Sequence, residues 1–154
     1  MAKKILVIGR QEIIDLPGFG LGEIEAKVDT GAYTSAINCS RVKVTKNKTI
    51  PELTFYLSGS KIHEKRARKF TTTDFRKRKI KSSNGQIEER YVIKTTAVIF
   101  GRRHRMEFSL ADRSKMKFPI LLGRKLLTGR YMVDVSKKNL SYKEKRRNAN
   151  SSTF

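Results

Sequence analysis

The stretch Val28-Asp29-Thr30-Gly31-Ala32 decides the fold that this sequence predicts. It continues the alternation of polar and apolar residues at 23–27, a pattern typical of a half-buried β-strand. One carboxylate, that of Asp29, is therefore expected on a tight turn of small residues at the end of a strand. The Asp-Thr-Gly tripeptide alone is a weak signal, because roughly several per cent of chains of this length contain it by chance.

A second motif makes the first one specific. It reads Pro119-Ile120-Leu121-Leu122-Gly123-Arg124-Lys125-Leu126-Leu127 and lies far downstream. Residues 120–122 are predicted to be a buried core strand that braces the carboxylate turn from beneath, and Gly123 would permit the close crossing. Residues 123–128 are expected to form one or two helical turns that end before Gly129.

Short strand patterns separated by turn residues fill most of the remaining sequence. Turn chemistry predicts hairpins at Ser82-Ser83-Asn84-Gly85 and at Gly101-Arg102-Arg103. Residues 1–136 are therefore expected to form one all-β domain, a barrel or a sandwich, with one short C-terminal helix. Residues 137–154 are polar and basic and lack an apolar period, so we expect them to be a disordered tail.

The charge balance points to anionic partners. The chain has 154 residues, with 35 Lys and Arg against 14 Asp and Glu, a net charge of +21. Such an excess favours nucleic acid, the ribosome, an anionic membrane surface or an acidic peptide. Many of the cations crowd residues 61–81, which fit either a solvated charged hairpin or an anion-binding surface. The candidates for substrate binding are Arg76, Arg78 and, from the second motif, Arg124.

Cysteine usage and the first residues indicate a compartment. Cys39 is the only cysteine, so an internal disulfide is excluded and a reducing environment is expected. The apolar run at 5–8 is too short for a signal peptide or a membrane span, which predicts a cytoplasmic protein without a membrane partner.

No cofactor is predicted from the motifs. His63 and His104 lie far apart in the sequence, and neither a His-Glu-x-x-His nor a Cys-x-x-Cys motif is present. The sequence also lacks the glycine-rich phosphate-binding loop that ends in Gly-Lys-Ser/Thr. We therefore expect neither a metal nor ATP at the site.

Asp29 is the candidate catalytic residue. Carboxylates that hydrolyse amides work in pairs that share one proton, since both cannot ionise at contact distance. The ionised member activates a water, and the protonated member hydrogen-bonds the scissile carbonyl. The chain offers only one such carboxylate, so a two-fold homodimer must bring two copies of Asp29 together. The aspartates that lack this setting are Asp15, Asp74, Asp112 and Asp134.

The neighbours of Asp29 fit this interpretation. Gly31 lets backbone amides approach the carboxylates, Thr30 is expected to hydrogen-bond across the dimer axis, and Ala32 begins the wall of a substrate groove. Thr34 would support the turn through hydrogen bonds to backbone. The predicted supports of the active site are Thr30, Gly31, Ala32, Thr34, Leu122 and Gly123.

The two motifs resemble those of the retropepsin-like aspartic peptidases often labelled "ATP-dependent zinc protease", a RimB-like bacterial and archaeal group associated with RimK-type glutamate ligases. The carriers are residues 26–36, 119–124 and 133–135. The resemblance implies a closed barrel of acid-protease type, aspartic endopeptidase activity in a homodimer, and substrates with glutamate-rich tails on ribosomal protein. The zinc and ATP of the label find no support in the residues.

Two departures from the family pattern stand out. Tyr33 lies where retroviral members have an acidic residue that pairs with the arginine of the second motif, which leaves the role of Arg124 open. The segment between the motifs is also longer than in the retroviral enzymes. Both the basic stretch 61–81 and the hairpin at Asn84-Gly85 are candidates for the flap.

Functions from two classes remain open. The leading hypothesis is a homodimeric aspartic endopeptidase that uses an activated water and forms no covalent intermediate. The alternative is a basic RNA- or ribosome-binding module in which Asp29 only caps backbone amides of its turn. A monomer that cannot form the carboxylate pair is a third, weaker possibility. Loss of Asp29 would abolish hydrolysis in the first case and leave binding intact in the second.

Overall fold

The computed structural model describes residues 4–46, 49–112 and 117–151. The strands are β1 (Leu6–Gly9), β2 (Gln11–Leu16), β3 (Leu21–Val28), β4 (Ser35–Asn38), β5 (Ser40–Thr45), β6 (Glu52–Leu57), β7 (Arg68–Thr72), β8 (Phe75–Lys81), β9 (Ile87–Ile99), β10 (Arg102–Ala111), β11 (Ile120–Leu122) and β12 (Tyr131–Asp134). The helices are α1 (Arg124–Leu127) and α2 (Leu140–Ser151). The predicted mainly-β class and the short helix after the last core strand are confirmed.

Six strands form a closed ring of hydrogen-bonded neighbours. Their order is β10-β4-β11-β3-β2-β9, and β9 pairs back with β10. β8 pairs antiparallel with β9 and extends this sheet outside the ring. Alternate side chains of the ring strands pack into one apolar core, as the period of two in their sequences requires. Fully buried members of that core include Ile24, Ile37, Phe108 and Ile120.

The basic stretch 61–81 is divided between two sheets. β7 belongs to a three-stranded sheet with β5 and β6, whereas β8 belongs to the sheet of the ring. Phe70 on β7 is buried and stacks on Phe55 with ring centroids 5.6 Å apart, and Phe19 meets Phe70 edge-on at 5.0 Å. Of the two interpretations of this stretch, a single solvated hairpin is therefore wrong, because buried aromatic packing takes β7 to a different sheet from β8.

Both predicted hairpins are present, with a small shift in one. Gly85 has a φ of +88° and closes the turn between β8 and β9, as its position in the sequence predicts. The turn between β9 and β10 uses Phe100 (φ +53°) and Gly101 (φ +70°), so it lies one residue earlier than predicted. A two-residue turn with two positive φ values matches the twist of the flanking strands, which explains why Phe100 accepts this conformation.

The expectation of a disordered tail is wrong for residues 137–151, whereas residues 152–154 lie outside the described part. The segment is anchored before the helix begins, because the Arg10 amide donates to the Lys137 carbonyl at 2.8 Å. Glu12, fully buried, accepts hydrogen bonds from Gly9 N at 2.8 Å and from Ser141 N at 2.9 Å. A local reading of the polar sequence could not find these partners, since they come from the other end of the chain.

The chain ends of the domain form a small sheet of their own. β1 and β12 pair in parallel, with Val7 opposite Met132. Both of these side chains are exposed, Val7 to 45% and Met132 to 64%. Within the residues that the structure describes, no helix combines the length and the apolar character needed to cross a membrane.

Candidate active site

Asp29 lies at the point where β3 ends, as predicted. β11 runs parallel to β3 with Leu122 opposite Val28, and the Asp29 amide donates to the Leu122 carbonyl at 2.9 Å. The turn therefore starts as a continuation of the sheet. The second motif braces the first through this backbone hydrogen bond.

The carboxylate of Asp29 is held by its own turn. Its Oδ1 accepts a hydrogen bond from the Gly31 amide at 3.0 Å, and the Asp29 carbonyl accepts one from Ala32 N at 3.2 Å. The side chain is half-buried, so one part of the carboxylate is fixed by backbone and the rest faces the adjoining cavity. This geometry holds a carboxylate in a defined direction at the end of a rigid strand.

Gly123 is where the two motifs cross. A Cβ on this residue would lie 2.6 Å from the Tyr33 carbonyl oxygen, so a side chain has no room. The crossing is fastened by three hydrogen bonds: Gly123 N to Ser35 Oγ at 3.0 Å, Arg124 N to the Ala32 carbonyl at 2.8 Å, and Lys125 N to the Tyr33 carbonyl at 2.9 Å. The first amides of α1 thus find their partners in the loop that follows Asp29.

Arg124 holds the outer side of the same loop. Its guanidinium donates to the Thr30 carbonyl at 2.9 Å and lies 5.9 Å from the centre of the Tyr33 ring. The aromatic face takes the place of the acidic partner that the retroviral pattern would supply. In this conformation, Arg124 supports the turn rather than pointing a free cation at a substrate.

The hairpin between β8 and β9 lies over the Asp29 turn. Asp29 and the hairpin residues Ile80, Ser82 and Ser83 line one small cavity of about 20 Å³, together with Thr34. That is room for about one water molecule. The two flap candidates meet at this cavity, because Ser82 and Ser83 belong to the Asn84-Gly85 hairpin whereas Ile80 is near the end of the basic stretch 61–81.

None of the three arginines proposed for substrate binding lines this cavity, and Arg124 is held at the outer side of the loop. Arg78 forms an ion pair with Glu107 at 2.7 Å. Arg76 lines a separate pocket with Phe75, Lys94 and Glu107. Their substrate role stays a prediction.

Arg90 is the residue that the sequence analysis missed. Its side chain is 7% exposed and lines the cavity that contains Asp29. One signal in the sequence points to it: the turn at Gly85 sets the hairpin register, which places Arg90 opposite Arg78 on the inner face.

A second, larger cavity of about 440 Å³ lies between β10 and α1. Its lining is strongly cationic and includes Lys94, Arg103, Arg105 and Lys125. Lys125 pairs with Glu107 at 3.6 Å, whereas among the described residues no ion pair is formed by the other three. His104, another lining residue, hydrogen-bonds the Tyr131 hydroxyl, and burial raises the pKa of that hydroxyl to about 12.

Cys39 is buried. Desolvation raises the pKa of its thiol to about 12, and the negative charge of Asp112 acts in the same direction. Since the thiolate is the nucleophilic form, this environment does not activate the cysteine as a nucleophile at neutral pH.

Comparison with known proteins agrees with the geometry. The family model described as RimB-like, "Retropepsin-like aspartic endopeptidase RimB", matches residues 7–144. A solved structure of a protein of unknown function from Legionella pneumophila matches the fold with a TM-score of 0.70 and 21% sequence identity. The match covers 90% of this chain and 99% of the other. At this identity, the structural match supports the fold alone.

Curated relatives carry a different name. A probable alpha-L-glutamate ligase from Shewanella halifaxensis is 33% identical over 136 residues, which cover 88% of this chain and 30% of the relative. A protein of the same name from Desulfotalea psychrophila is 31% identical, with 87% of this chain and 28% of the relative covered. The chain thus spans less than a third of the length of these relatives.

Proposed function

Because this chain belongs to the RimB-like family of retropepsin-like aspartic endopeptidases, we propose that it cleaves peptide bonds through a pair of Asp29 carboxylates contributed by two subunits. The observation that carries the proposal is the braced turn of Asp29. Its backbone is fixed by Leu122, its carboxylate is oriented by Gly31, and a hairpin covers it. A carboxylate that is fixed in direction at the edge of a covered cavity is suited to general acid–base hydrolysis.

The reaction follows from two such groups facing each other. The ionised carboxylate takes a proton from water while the water oxygen bonds to the scissile carbonyl carbon. The protonated carboxyl of the other subunit hydrogen-bonds the carbonyl oxygen and transfers its proton there, which gives a neutral tetrahedral diol. The diol then collapses: the carboxyl that was protonated by water gives its proton to the amine nitrogen, and the C–N bond breaks. The other carboxylate takes a hydroxyl proton of the diol, which releases a carboxylic acid and restores the pair with one proton. Two carboxylates that share one proton supply both functions.

A second copy of the chain is the partner that this mechanism needs. The β1–β12 sheet offers a surface for it, because Val7 and Met132 are exposed side by side, and Ile5 and Val135 are exposed to 51% and 73% at its ends. Burying such side chains against a second copy would favour dimerisation. The net charge of +21 opposes it, so salt and an acidic ligand should both strengthen the dimer.

The substrate that we propose is an acidic, glutamate-rich peptide, such as a tail on ribosomal protein. The cationic cavity between β10 and α1 would attract it, and the curated relatives bear the name of a glutamate ligase. A ligase that joins glutamate and an endopeptidase that cuts glutamyl peptides would act on the same polymer in opposite directions. Cytoplasmic location is part of this proposal.

The decisive experiment compares Asp29→Asn with Asp15→Asn. Both changes remove one negative charge, but Asp15 lies on β2, where it accepts a hydrogen bond from the Glu23 amide at 2.9 Å that an asparagine oxygen can keep. Cleavage of a glutamate-rich peptide should disappear in the first variant and persist in the second, with both folded by circular dichroism. Undiminished cleavage by Asp29→Asn would refute the proposal.

A second candidate function is the binding of RNA or the ribosome. The cationic cavity between β10 and α1 is the observation that favours it, since Lys94, Arg103 and Arg105 converge there. Binding of RNA should then fall steeply with salt and survive Asp29→Asn. Gel-shift measurements at several salt concentrations on the parent and on Arg105→Gln test this. Absence of binding by the parent, or equal binding by parent and variant, excludes this function.

A further inference from the structure

Arg90 is a buried cation without a buried anion to match it. Its Nε and Nη2 donate to one oxygen of Glu88 at 3.2 and 3.1 Å, and its Nη1 reaches Ser109 Oγ only at 3.5 Å. The Arg90 side chain is 7% exposed, but that of Glu88 is 52% exposed. Burying a guanidinium is costly unless it is well paired, and a half-hydrated carboxylate compensates only part of that cost.

Small residues form one part of the wall of the cavity that Arg90 shares with Asp29. Its charged lining residues are Asp29, Lys81 and Arg90, and its apolar lining residues are Ala32, Ala36 and Ala111 beside the larger Ile80 and Leu121. The three alanines have short side chains, so they leave the Arg90 guanidinium accessible to a group that enters the cavity. Larger aliphatic residues at the alanine positions would cover it.

The pocket is closed in this conformation and can open in one direction. A volume of about 20 Å³ holds no amino-acid side chain, so the hairpin that carries Ser83 must lift to admit one. Glu88 lies on the same hairpin and is half-exposed, so it can turn to water when another carboxylate takes its place.

From these observations we propose that the cavity beside Asp29 is a carboxylate-binding subsite in which Arg90 binds the side chain of a substrate glutamate. The inference rests on the proposed function and adds the residue that selects the substrate. The planar guanidinium presents paired N–H donors that match the two oxygens of a carboxylate, a geometry that neither a lysine nor a neutral amide partner reproduces. Arg90 acts on selectivity and takes no part in proton transfer.

The substrate side of the test needs no variant. Peptides in which one glutamate at a time is replaced by glutamine are cleaved by the wild-type protein, and kcat/KM is measured for each. One position should show a loss of about ten- to a hundredfold, the range expected for a charge-assisted hydrogen bond, while the remaining positions change little. Equal losses at all positions would show long-range attraction alone and overturn the subsite.

The protein side compares Arg90→Gln with Lys79→Gln. Both remove one positive charge from the same hairpin, but Lys79 is exposed on its outer face. Arg90→Gln should abolish the distinction between glutamate and glutamine at the sensitive position, and Lys79→Gln should keep it. If Arg90→Gln retains the distinction, the assignment is wrong.

A binding measurement separates this inference from the proposed activity. Asp29→Asn protein is titrated with the same glutamate and glutamine peptides by calorimetry. Tighter binding of the glutamate peptide that is lost in the Asp29→Asn/Arg90→Gln double variant supports the subsite even if the wild-type protein cleaves nothing. Equal binding of both peptides, together with normal cleavage by the wild type, refutes the subsite and leaves the peptidase.

Discussion

Ser83, at the tip of the β8–β9 hairpin, lies directly against Gly31 of the Asp29 turn. A Cβ added at Gly31 would be 2.9 Å from the Ser83 Cβ and 3.2 Å from the Asp29 Oδ1. The covering hairpin and the carboxylate turn are thus in contact through a residue that has no side chain. This contact joins two segments more than fifty residues apart in the sequence and defines the closed state of the site.

Gly31→Ala should hold the hairpin away from the turn. Crowding of this kind costs about 1–3 kcal/mol. Because Gly31 is exposed, we expect the substitution to reduce closure of the hairpin and the peptidase rate more than it lowers the unfolding midpoint. Ser83→Gly removes the Cβ that causes the clash and should restore part of the activity in the double variant. Equal effects of Ser83→Gly in the parent and in the Gly31→Ala background would contradict this account.

Arg124→Leu should loosen the loop after Asp29. It loses the hydrogen bond to the Thr30 carbonyl and the contact with the Tyr33 ring, together about 1 kcal/mol at an exposed site. Arg146→Leu is the matched control, since Arg146 lies 5.7 Å from the Tyr142 ring on α2, outside the site. Peptidase kinetics and urea unfolding of both variants distinguish loss of loop support from loss of a cation–π pair in general.

Ser141→Ala should destabilise the fold by about 1–3 kcal/mol, because Ser141 Oγ accepts the hydrogen bond of the Phe100 amide at 2.8 Å and its removal leaves that amide unpaired. Ser136→Ala removes a hydroxyl that hydrogen-bonds Asp134 at the exposed surface and should leave the unfolding midpoint nearly unchanged. Thermal unfolding of both variants is the measurement. Neutral behaviour of both would be the result expected of a disordered tail.

The Cys39 thiol should resist alkylation in the folded protein. With its pKa raised to about 12 by burial, roughly one molecule in ten thousand carries a thiolate at pH 8. Labelling with iodoacetamide at pH 8 should therefore be slow until denaturant exposes the thiol. Rapid labelling without denaturant would show that the strand environment of Cys39 opens readily.

Ionic strength should change which peptide is preferred. The net charge of +21 attracts acidic peptides over distances that salt screens. At a protein concentration that keeps the dimer formed throughout, kcat/KM for a glutamate-rich peptide should therefore fall as salt rises, while that for a neutral peptide should change much less. Cleavage assays between low and near-molar salt test this. A neutral peptide that is cleaved as well as the acidic one at every salt concentration would contradict it.

Local sequence patterns predicted much of the framework. Some local patterns state their own physical requirement. The alternation before Asp29 and the apolar run at 120–122 each need a face to bury. Gly85 supplies a positive φ, and Gly123 permits a close crossing. Each can be judged within a window of a few residues. For that reason, the strands, the short helix α1 and the contact between the two motifs agree with the structure.

Local sequence patterns do not predict contacts between segments that are distant in the sequence. The helix α2 is anchored by hydrogen bonds of Ser141 with Glu12 and Phe100. The β8–β9 hairpin lies over Gly31. Strand β7 belongs to a different sheet from β8, and its Phe70 packs against Phe55 in the core. None of these contacts can be predicted from the composition of the segment itself.

The sequence by itself determined which residue is the candidate acid and on what kind of turn it lies. It also predicts that one subunit would supply only half of a carboxylate pair. The tertiary structure decided which residues surround that acid. Arg124 supports the loop after Asp29, Arg90 lines the same cavity, and Ser83 lies at the tip of the hairpin that covers it. The physical reason is that a strand pattern fixes which face of a residue is buried, whereas strand register and chain crossing fix which other residue it meets.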